Sequence, residues 1–398
     1  LINNWEATYF DFNEKKILKI AKSAAKLGVD MLVLDDGWFG KRNSDTSGLG
    51  DWFVNENKLK GGLSMLADKI NDLGMKLGIW FEPEMVSEDS HLYRAHPDWA
   101  IAIPDRKPMR GRFQLVLDMS RREVQDYLFG AISNILDNAN ISYVKWDMNR
   151  SISDLYSHVL PAERQGELSH RYVLGLYSLL ERLIQKYPNV LFEGCSGGGG
   201  RFDAGMLYYC PQIWCSDDTD AFERTKIQYG TSFIYPISAV GSHVSVVPNH
   251  QTGRITPLET RAVTAMAGSF GYELDLGLLT DEEKTAVADQ IRRFKNFGTL
   301  IHNGSYYRLT NPMNGNRAFW SYVSDDRSEA LVHGMIYHAP ANMKRSALRL
   351  SGLDENSLYS ISGTKETYSG AALMNGGILL PMPWGDYTPV EIHLKKVK

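Results

Sequence analysis

The chain has 398 residues, of which 43% are hydrophobic and 23% charged, a composition typical of globular proteins. A formal net charge of -4 without any Lys/Arg cluster excludes a nucleic-acid partner, and no apolar run is long enough to span a membrane. Three cysteines, Cys195, Cys210 and Cys215, make no disulfide framework and indicate a reducing, cytoplasmic compartment. The sequence shows no signal-peptide pattern. Because it opens with Leu1 rather than Met, we expect it to be a segment of a longer protein.

Short β-branched and aromatic runs predict strands, and apolar residues repeated every three or four positions predict helices. In chain order, the predicted strands cover residues 5–10, 31–34, 76–81, 114–117, 141–144, 190–192, 213–215 and 240–247. The predicted helices cover residues 13–27, 63–73, 121–138, 166–186, 219–233, 257–267 and 281–297. Ser120 and Glu123 have the spacing of a capping box at the start of the third helix.

Strands that alternate with helices or long crossovers predict a (β/α)8 TIM barrel over residues 1–304. An open, doubly wound sheet is the alternative. From residue 305 the apolar runs become short, and Gly, Asn and Pro separate them. This change predicts a small antiparallel β domain over residues 305–398.

Carboxylates follow one predicted strand after another. They are Asp35, Asp36, Glu82, Glu84, Asp118, Asp147, Glu193, Asp217 and Asp218. In a barrel, the carboxyl ends of the strands converge on one mouth, so these acids would repel one another unless cations, hydroxyls or a ligand held them. Lys145 and Asp147 are two residues apart and share one face of their strand, as a structural ion pair or as part of a site.

Clustered acids suit either of two chemistries, a divalent metal site or glycoside hydrolysis by a carboxylate pair. Trp38, Trp80 and Trp146 lie beside the acids and favour a sugar, whose apolar faces stack on rings. His243 and His250 are the only histidines near these strand ends, and a lone histidine is more often structural than a ligand. We therefore expect no metal and no cofactor.

The glycine run 197–200 lacks the Lys-Ser/Thr of a phosphate-binding loop, and its glycines miss the dinucleotide-binding spacing. We interpret it as a tight turn that lets a ligand approach the backbone closely, with a flexible loop as the alternative.

Five motifs occur along the chain, and together they carry a family resemblance. They are D-D-G-W-F at 35–39, W-F-E-P-E-M at 80–85, K-W-D-M-N-R at 145–150, C-S-G-G-G-G-R at 195–201 and S-D-D-T-D at 216–220. With these motifs the whole chain resembles the α-galactosidases of glycoside hydrolase family 36. The resemblance implies a catalytic barrel, a C-terminal antiparallel β-sandwich, an oligosaccharide substrate and a tendency to homo-oligomerise. Family members usually carry a large N-terminal β domain, which we expect to be missing from this shortened sequence.

The resemblance also implies roles for single residues. Asp147 matches the nucleophile, and Asp217 matches the general acid/base. Asp35 and Asp36 match carboxylates that bind the 4- and 6-hydroxyls of galactose. The other implied substrate contacts are Trp5, Trp80, Arg112, Lys145, Asn149, Cys195, Gly198, Arg201 and Asp218. In this interpretation the Lys145 cation favours the ionised form of Asp147.

The resemblance implies a retaining exo-α-galactosidase that acts on oligosaccharides such as melibiose and raffinose through a covalent galactosyl-enzyme. The alternatives are a galactosyl transferase of the raffinose- or stachyose-synthase type, an α-N-acetylgalactosaminidase, a catalytically silent sugar-binding protein and a metal-dependent barrel hydrolase. The intact 195–201 pattern favours hydrolysis over transfer. The presence of both Asp147 and Asp217 argues against a silent protein.

Overall fold

The computed structural model describes residues 1–397 and confirms the predicted (β/α)8 barrel followed by antiparallel β structure. The barrel strands are β1 (Ile2–Asn3), β2 (Met31–Leu34), β3 (Lys76–Phe81), β4 (Ile141–Trp146), β5 (Leu191–Gly194), β6 (Gln212–Trp214), β7 (Val240–Ser245) and β8 (Ser269–Glu273). They close in the order β1-β8-β7-β6-β5-β4-β3-β2. Among the described residues, no helix combines the length and the apolar character that a membrane span requires.

The helices are α1 (Trp5–Thr8), α2 (Glu14–Leu27), α3 (Gly62–Asn71), α4 (His91–Ala95), α5 (Arg122–Asn138), α6 (Leu168–Lys186), α7 (Ala204–Tyr209), α8 (Ala221–Thr231), α9 (Leu258–Ala265), α10 (Asp281–Asn303) and α11 (Gly370–Asn375). Helix α2 shows how local signals make helices alternate with strands along the chain, as predicted. The Asn13 side chain caps its first turn, and Gly28, with φ of 92°, ends it in the left-handed conformation that glycine adopts without strain. Its apolar face is buried.

The barrel register aligns the ends of the strands that carry the motifs. Strands β3 and β4 pair in parallel, with Trp80 opposite Lys145, and β4 and β5 pair with Lys145 opposite Glu193. The ladder continues past the strands, because the Asp147 N–H donates to the Phe81 carbonyl at 2.8 Å. Residues that follow β3 and β4 therefore emerge at the same end of the barrel.

The predicted first strand over residues 5–10 is wrong. Residues Trp5–Thr8 form helix α1, and the barrel strand lies just before it, at Ile2–Asn3. The Asn4 carbonyl accepts hydrogen bonds from the N–H groups of Ala7 and Thr8, which closes a helical turn. The aromatic composition of this run reflects ring packing rather than strand pairing, since Trp5 meets its neighbouring rings edge to face.

The predicted strand at 114–117 does not belong to the barrel. Its central residues Leu115–Val116 pair antiparallel with Met85–Val86 in a separate two-stranded sheet, so Asp118 does not end a barrel strand. The run 240–247, predicted as the eighth strand, contains the seventh, and the eighth is Ser269–Glu273. That short segment, S-F-G-Y-E, is interrupted by a glycine and was missed for that reason.

The predicted capping box before α5 is also wrong. The Ser120 hydroxyl donates to Asp118 at 2.5 Å, and the helix begins at Arg122 without a side-chain cap. Glu123 instead accepts from the Arg121 Nε at 2.8 Å. The Ser120 hydroxyl thus bonds to Asp118, two residues earlier, and does not cap the helix as the pattern predicted.

The chain divides into two compact units, residues 1–214 with 273–278, and residues 215–272 with 279 onward. The second unit contains the antiparallel sheet, formed by β9 (Ser305–Arg308), β10 (Arg317–Val323), β11 (Glu329–Ile336), β12 (Leu358–Ile361), β13 (Thr367–Ser369) and β14 (Thr388–Lys396) in the order β9-β10-β11-β14-β12-β13. Its core includes Phe319, Val332, Tyr359 and Leu394. The predicted domains 1–304 and 305–398 stay a prediction, and residue 398 lies outside the described residues.

An ionic network within the second unit connects its sheet to helices α9 and α10. Glu391 on β14 lies 2.9 Å from the Arg293 Nη1 and 3.0 Å from the His333 Nε2, and Arg293 also pairs with Glu259. Burial alone raises the pKa of Glu391, but His333 and Arg293 outweigh it and lower this pKa to about 2. The carboxylate therefore stabilises the fold above its unfolded pKa near 4.5, and this stabilisation is lost as the pH falls towards 2.

We expect Glu391→Gln to lower the free energy of unfolding at pH 7 by roughly 2–3 kcal/mol, because Arg293 and His333 lose a half-buried anion. The deficit should shrink at pH 3, and urea denaturation at both pH values measures it. Glu329→Gln is the matched control, because this sheet carboxylate is more exposed, at 34% against 19%, and pairs with His393. It should cost about 1 kcal/mol or less. Equal losses in the two variants would contradict the assignment.

Candidate active site

Asp147 directly follows strand β4 and is buried, with three hydrogen-bond donors around its carboxylate. Oδ2 accepts from the Trp80 Nε1 at 3.1 Å and from the Asn149 Nδ2 at 2.7 Å. Oδ1 accepts from the N–H of Met148 at 2.8 Å. The structure thus brings together three of the predicted site residues, and the donors fix the orientation of the carboxylate.

Lys145 pairs with Asp35 rather than with Asp147, which corrects the ion pair considered from the sequence. Its Nζ lies 2.9 Å from the Asp35 Oδ2, which also accepts from Asn3 at 2.6 Å. Burial lowers the pKa of Lys145, but Asp35 first and then Cys195 outweigh burial and hold it well above its usual value. The lysine is therefore a buried cation, and its carboxylate partner directly follows β2, 110 residues away in sequence.

Asp36 points to a different cation, Arg42, which sequence reasoning missed. The guanidinium meets the carboxylate with two hydrogen bonds, Nε to Oδ1 at 3.0 Å and Nη2 to Oδ2 at 2.9 Å. Both side chains are more than 90% buried. A bidentate pair of this kind fixes the carboxylate in one plane, and its arginine comes from a polar loop without any periodic signal.

The aromatic residues beside the acids form a rigid wall. Trp80 is 2% exposed, and its carbonyl accepts from the Trp38 Nε1 at 2.8 Å. Phe39 stacks parallel to Trp80, with ring centroids 6.2 Å apart. Trp5 is half-buried and connects to the acids through Asn3, whose Oδ1 accepts from the Trp5 N–H at 2.8 Å.

Arg112 lies exposed at the tip of a tight turn over residues 111–114. Its φ of 48° and that of Phe113, 61°, both fall in the left-handed region. Two consecutive non-glycine residues in this region cost roughly 1–2 kcal/mol each. The turn is therefore held in place by its surroundings.

The 195–201 segment forms the tight turn predicted from its glycines. Gly197 and Gly198 have φ of 53° and 87°, and the Ser196 N–H donates to the Gly198 carbonyl at 2.7 Å. Cys195 is buried, and its N–H donates to the carbonyl of Trp146 at 2.7 Å. The strand ladder thereby fixes the start of the turn beside the Asp147 segment.

Arg201 ends this turn in a salt bridge with the fully buried Glu84. Arg201 Nη1 lies 3.0 Å from Oε2, and Nη2 lies 2.9 Å from Oε1. Glu84 also accepts from the Trp146 Nε1 at 2.9 Å and the Tyr172 hydroxyl at 2.6 Å. A cavity of about 450 Å³ opens beside the turn. Its walls include Asn149, Ile152, Tyr172, Tyr177, Gly197 and Arg201.

Asp217 and Asp218 belong to the second compact unit, in the loop before helix α8. Asp217 is exposed and Asp218 half-buried. Arg224, which the sequence did not single out, donates from Nε to the Asp218 carbonyl at 2.7 Å and from Nη2 to the Ser216 carbonyl at 2.8 Å. Gln251 donates to the Asp217 carbonyl at 3.0 Å. This loop is thus held by the buried Arg224 and the exposed Gln251, while the pairing of Asp217 with Asp147 stays a prediction.

Within residues 1–397, no three His, Cys, Asp or Glu side chains are grouped so that they would hold a metal ion. A closed parallel barrel whose strand ends carry acids beside tryptophans is typical of barrel enzymes that act on sugars. The family model described as "Melibiase" matches residues 1–304, and that described as "Glycosyl hydrolase family 36 C-terminal domain" matches residues 317–394. The chain belongs to glycoside hydrolase family 36, the melibiases.

Known proteins of this family resemble the chain over its full length. The bifunctional α-galactosidase/sucrose kinase AgaSK of Mediterraneibacter gnavus is 56% identical, covering 100% of this chain and 42% of its own length. The α-galactosidase AgaA of Geobacillus stearothermophilus is 54% identical, covering 100% of this chain and 54% of its own length. The chain thus spans about half the length of the curated relatives it matches.

Solved structures agree with the fold of the chain. The crystal structure of AgaA from Geobacillus stearothermophilus superposes with a TM-score of 0.98 at 55% identity, covering 100% of this chain and 55% of that chain. A variant of AgaA in complex with raffinose also has a TM-score of 0.98, at 54% identity over 100% of this chain and 55% of that chain.

Proposed function

We propose that this protein is a retaining exo-α-galactosidase that releases terminal α-galactosyl units from oligosaccharides. The observation that carries the proposal is the Asp147 carboxylate, buried at a barrel strand end and oriented by Trp80 and Asn149. The sequence identity of 54–56% to α-galactosidases, which extends over the whole of this chain, supports the same activity. The raffinose and stachyose complexes of AgaA variants support oligosaccharides of this kind as substrates.

In the proposed reaction, Asp147 attacks the anomeric carbon while Asp217 donates a proton to the leaving glycosidic oxygen. The bond between the anomeric carbon and that oxygen breaks as the bond to Asp147 forms. Asp217, now a base, then removes a proton from water, which displaces Asp147 and restores both carboxyl groups. Two inversions give retention, which requires the carboxyl groups to lie about 5–5.5 Å apart.

The proposed substrate contacts are those that the family resemblance implies. We propose that Asp35 and Asp36 accept hydrogen bonds from the 4- and 6-hydroxyls, with Lys145 donating beside them. Charge-assisted bonds to an axial 4-hydroxyl would be lost with an equatorial one, and this difference selects galactose. Trp80 is proposed to pack against the sugar.

The remaining contacts are proposed to surround the same sugar. The backbone turn at Gly198 allows close approach beside Cys195 at the 2-hydroxyl. The other proposed contacts are Trp5, Arg112, Asn149, Arg201 and Asp218.

An activity profile on three substrates tests the proposed function. We expect rapid hydrolysis of an aryl α-galactoside, little turnover of an aryl N-acetyl-α-galactosaminide, and release of free galactose from raffinose even with sucrose as acceptor. A chelator should leave the rates unchanged. Transfer to sucrose in preference to water would indicate a synthase, and binding without turnover would indicate a sugar-binding protein.

We also propose that the protein acts in the cytoplasm and associates with copies of itself. All three cysteines are buried, and they make no disulfide framework, which suits a reducing compartment. Light scattering of the purified protein would measure its mass, and a monomer at working concentrations would contradict the proposed association.

A further inference from the structure

Glu82 is a buried acid that the proposed reaction leaves without a role. It follows strand β3 directly and is 1% exposed. Its Oε1 accepts two hydrogen bonds, from the Gln114 Nε2 at 2.6 Å and from the Asn149 N–H at 2.5 Å. One oxygen atom thus connects two segments that are more than 30 residues apart in sequence.

The first of these segments carries the proposed nucleophile. The Asn149 backbone is held by Glu82, and its side chain donates to the Asp147 Oδ2 at 2.7 Å. Because the side chain starts from the backbone that Glu82 fixes, a shift of this backbone would move a donor away from Asp147. Angstrom-scale misplacement of a reacting group is enough to cost large factors in rate.

The second segment is the turn that carries Arg112. Gln114 closes this turn, with its N–H donating to the Gly111 carbonyl at 3.0 Å. On the other side, the Arg150 Nη1 donates to the Gln114 carbonyl at 2.8 Å. The left-handed conformations of Arg112 and Phe113 persist because the base of the turn is held from both sides.

The surroundings of Glu82 favour its neutral form. Burial raises its pKa, the neighbouring Asp147 carboxylate raises it further, and the net value is about 8. Arg42 acts in the opposite direction, and Asp36 adds to the increase. A neutral carboxyl group still accepts hydrogen bonds at its carbonyl oxygen, and it adds no second negative charge beside Asp147.

We infer that Glu82 is a positioning residue for the reaction. One of its oxygens holds, by hydrogen bonds, both the backbone of Asn149, which orients Asp147, and the turn that carries Arg112. This inference rests on the proposed function for its effect on catalysis, but its effect on folding can be measured without any substrate.

The kinetic test compares Glu82→Ala with Glu82→Gln. Glutamine keeps a neutral acceptor oxygen, so Glu82→Gln should retain kcat/KM for an aryl α-galactoside within about threefold at pH 6, whereas Glu82→Ala should lose about 100-fold. Gln114→Met removes only the link to the turn and should raise KM more than it lowers kcat. Wild-type kcat/KM in Glu82→Ala, or equal losses in the alanine and glutamine variants, would overturn the inference.

Glu193→Gln is the matched control, since Glu193 is another buried acid at a strand end, next to Gln212. It should change the melting temperature but leave the pH profile of kcat/KM unchanged. In Glu82→Gln, the alkaline limb of this profile should move to higher pH, because the carboxyl group that ionises near pH 8 beside Asp147 has been removed. An alkaline limb that does not move would count against the inference.

Stability measured without substrate separates this inference from the proposed function. A carboxyl group whose pKa is raised in the folded state loses stability as the pH rises from its unfolded pKa through its folded pKa. The melting temperature of wild type should therefore fall, relative to that of Glu82→Gln, as the pH rises from about 5 to 8. This result in a protein that hydrolyses no α-galactoside would refute the proposed activity and leave the placement of Glu82 supported. Parallel curves for the two proteins would contradict a buried, neutral Glu82 beside Asp147.

Discussion

Asp147→Ala is expected to abolish hydrolysis of an activated aryl α-galactoside, with a loss of at least about 10⁴-fold in kcat. The reason is that no other group takes over the bond to the anomeric carbon. Azide, which fits the space left by the carboxylate, should restore turnover. It would displace the aryl oxide in one step and give β-galactosyl azide, the inverted product, which proton NMR distinguishes from the α-anomer.

Asp118→Asn is a suitable control for this variant. Asp118 is also a buried acid, but it accepts from Ser120 and Ser157 and does not end a barrel strand. It should retain most of the activity and show no response to azide. Substantial residual turnover in Asp147→Ala, or an azide product with retained configuration, would remove Asp147 from the role of nucleophile.

Asp217→Ala is expected to have a graded effect that depends on the leaving group. Raffinose needs protonation of its departing sugar oxygen, so its kcat/KM should fall by about 10³-fold or more. An acidic phenol leaves an aryl α-galactoside without protonation, so the rate of the glycosylation step on this substrate should fall about tenfold or less. Steady-state rates on both substrates, with pre-steady-state bursts for the aryl compound, measure the difference.

Arg224→Met offers a comparison for Asp217→Ala, since Arg224 holds the backbone around this acid without supplying a proton. It should weaken turnover of both substrates by similar factors, because the loop carrying Asp217 loses its support. A uniform loss in Asp217→Ala itself would show that this acid positions the substrate and does not protonate the leaving group.

Local patterns were sufficient for much of this protein. Helix α2 was predicted over residues 13–27, within one residue of its bounds, and strands β2 and β3 were predicted with their bounds, because apolar periodicity acts within a few residues. The acids after β4 and β2 were likewise predicted from the sequence, since each directly follows a buried apolar run. Family membership followed from the ordered motifs, which the family models then matched.

The tertiary structure decided what local patterns leave open. The run 5–10 looks like a strand by composition, yet its first residues are helical, because the backbone turn at Asn4 and the packing of the rings outweigh propensity. Strand β8 is short and interrupted by glycine, and it is a strand only through its place in the closed sheet.

The partners of the charged residues could not be predicted from the sequence either, because they too depend on tertiary structure. Lys145 stands two residues from Asp147 but pairs with Asp35, and Arg201 pairs with Glu84, 117 residues away. A buried charge takes the counterion that the fold brings within hydrogen-bonding distance, whatever the separation along the chain. The sequence by itself determined that acids directly follow β2, β3 and β4 and which family the motifs define, and only the folded barrel determined which cation or donor each acid meets.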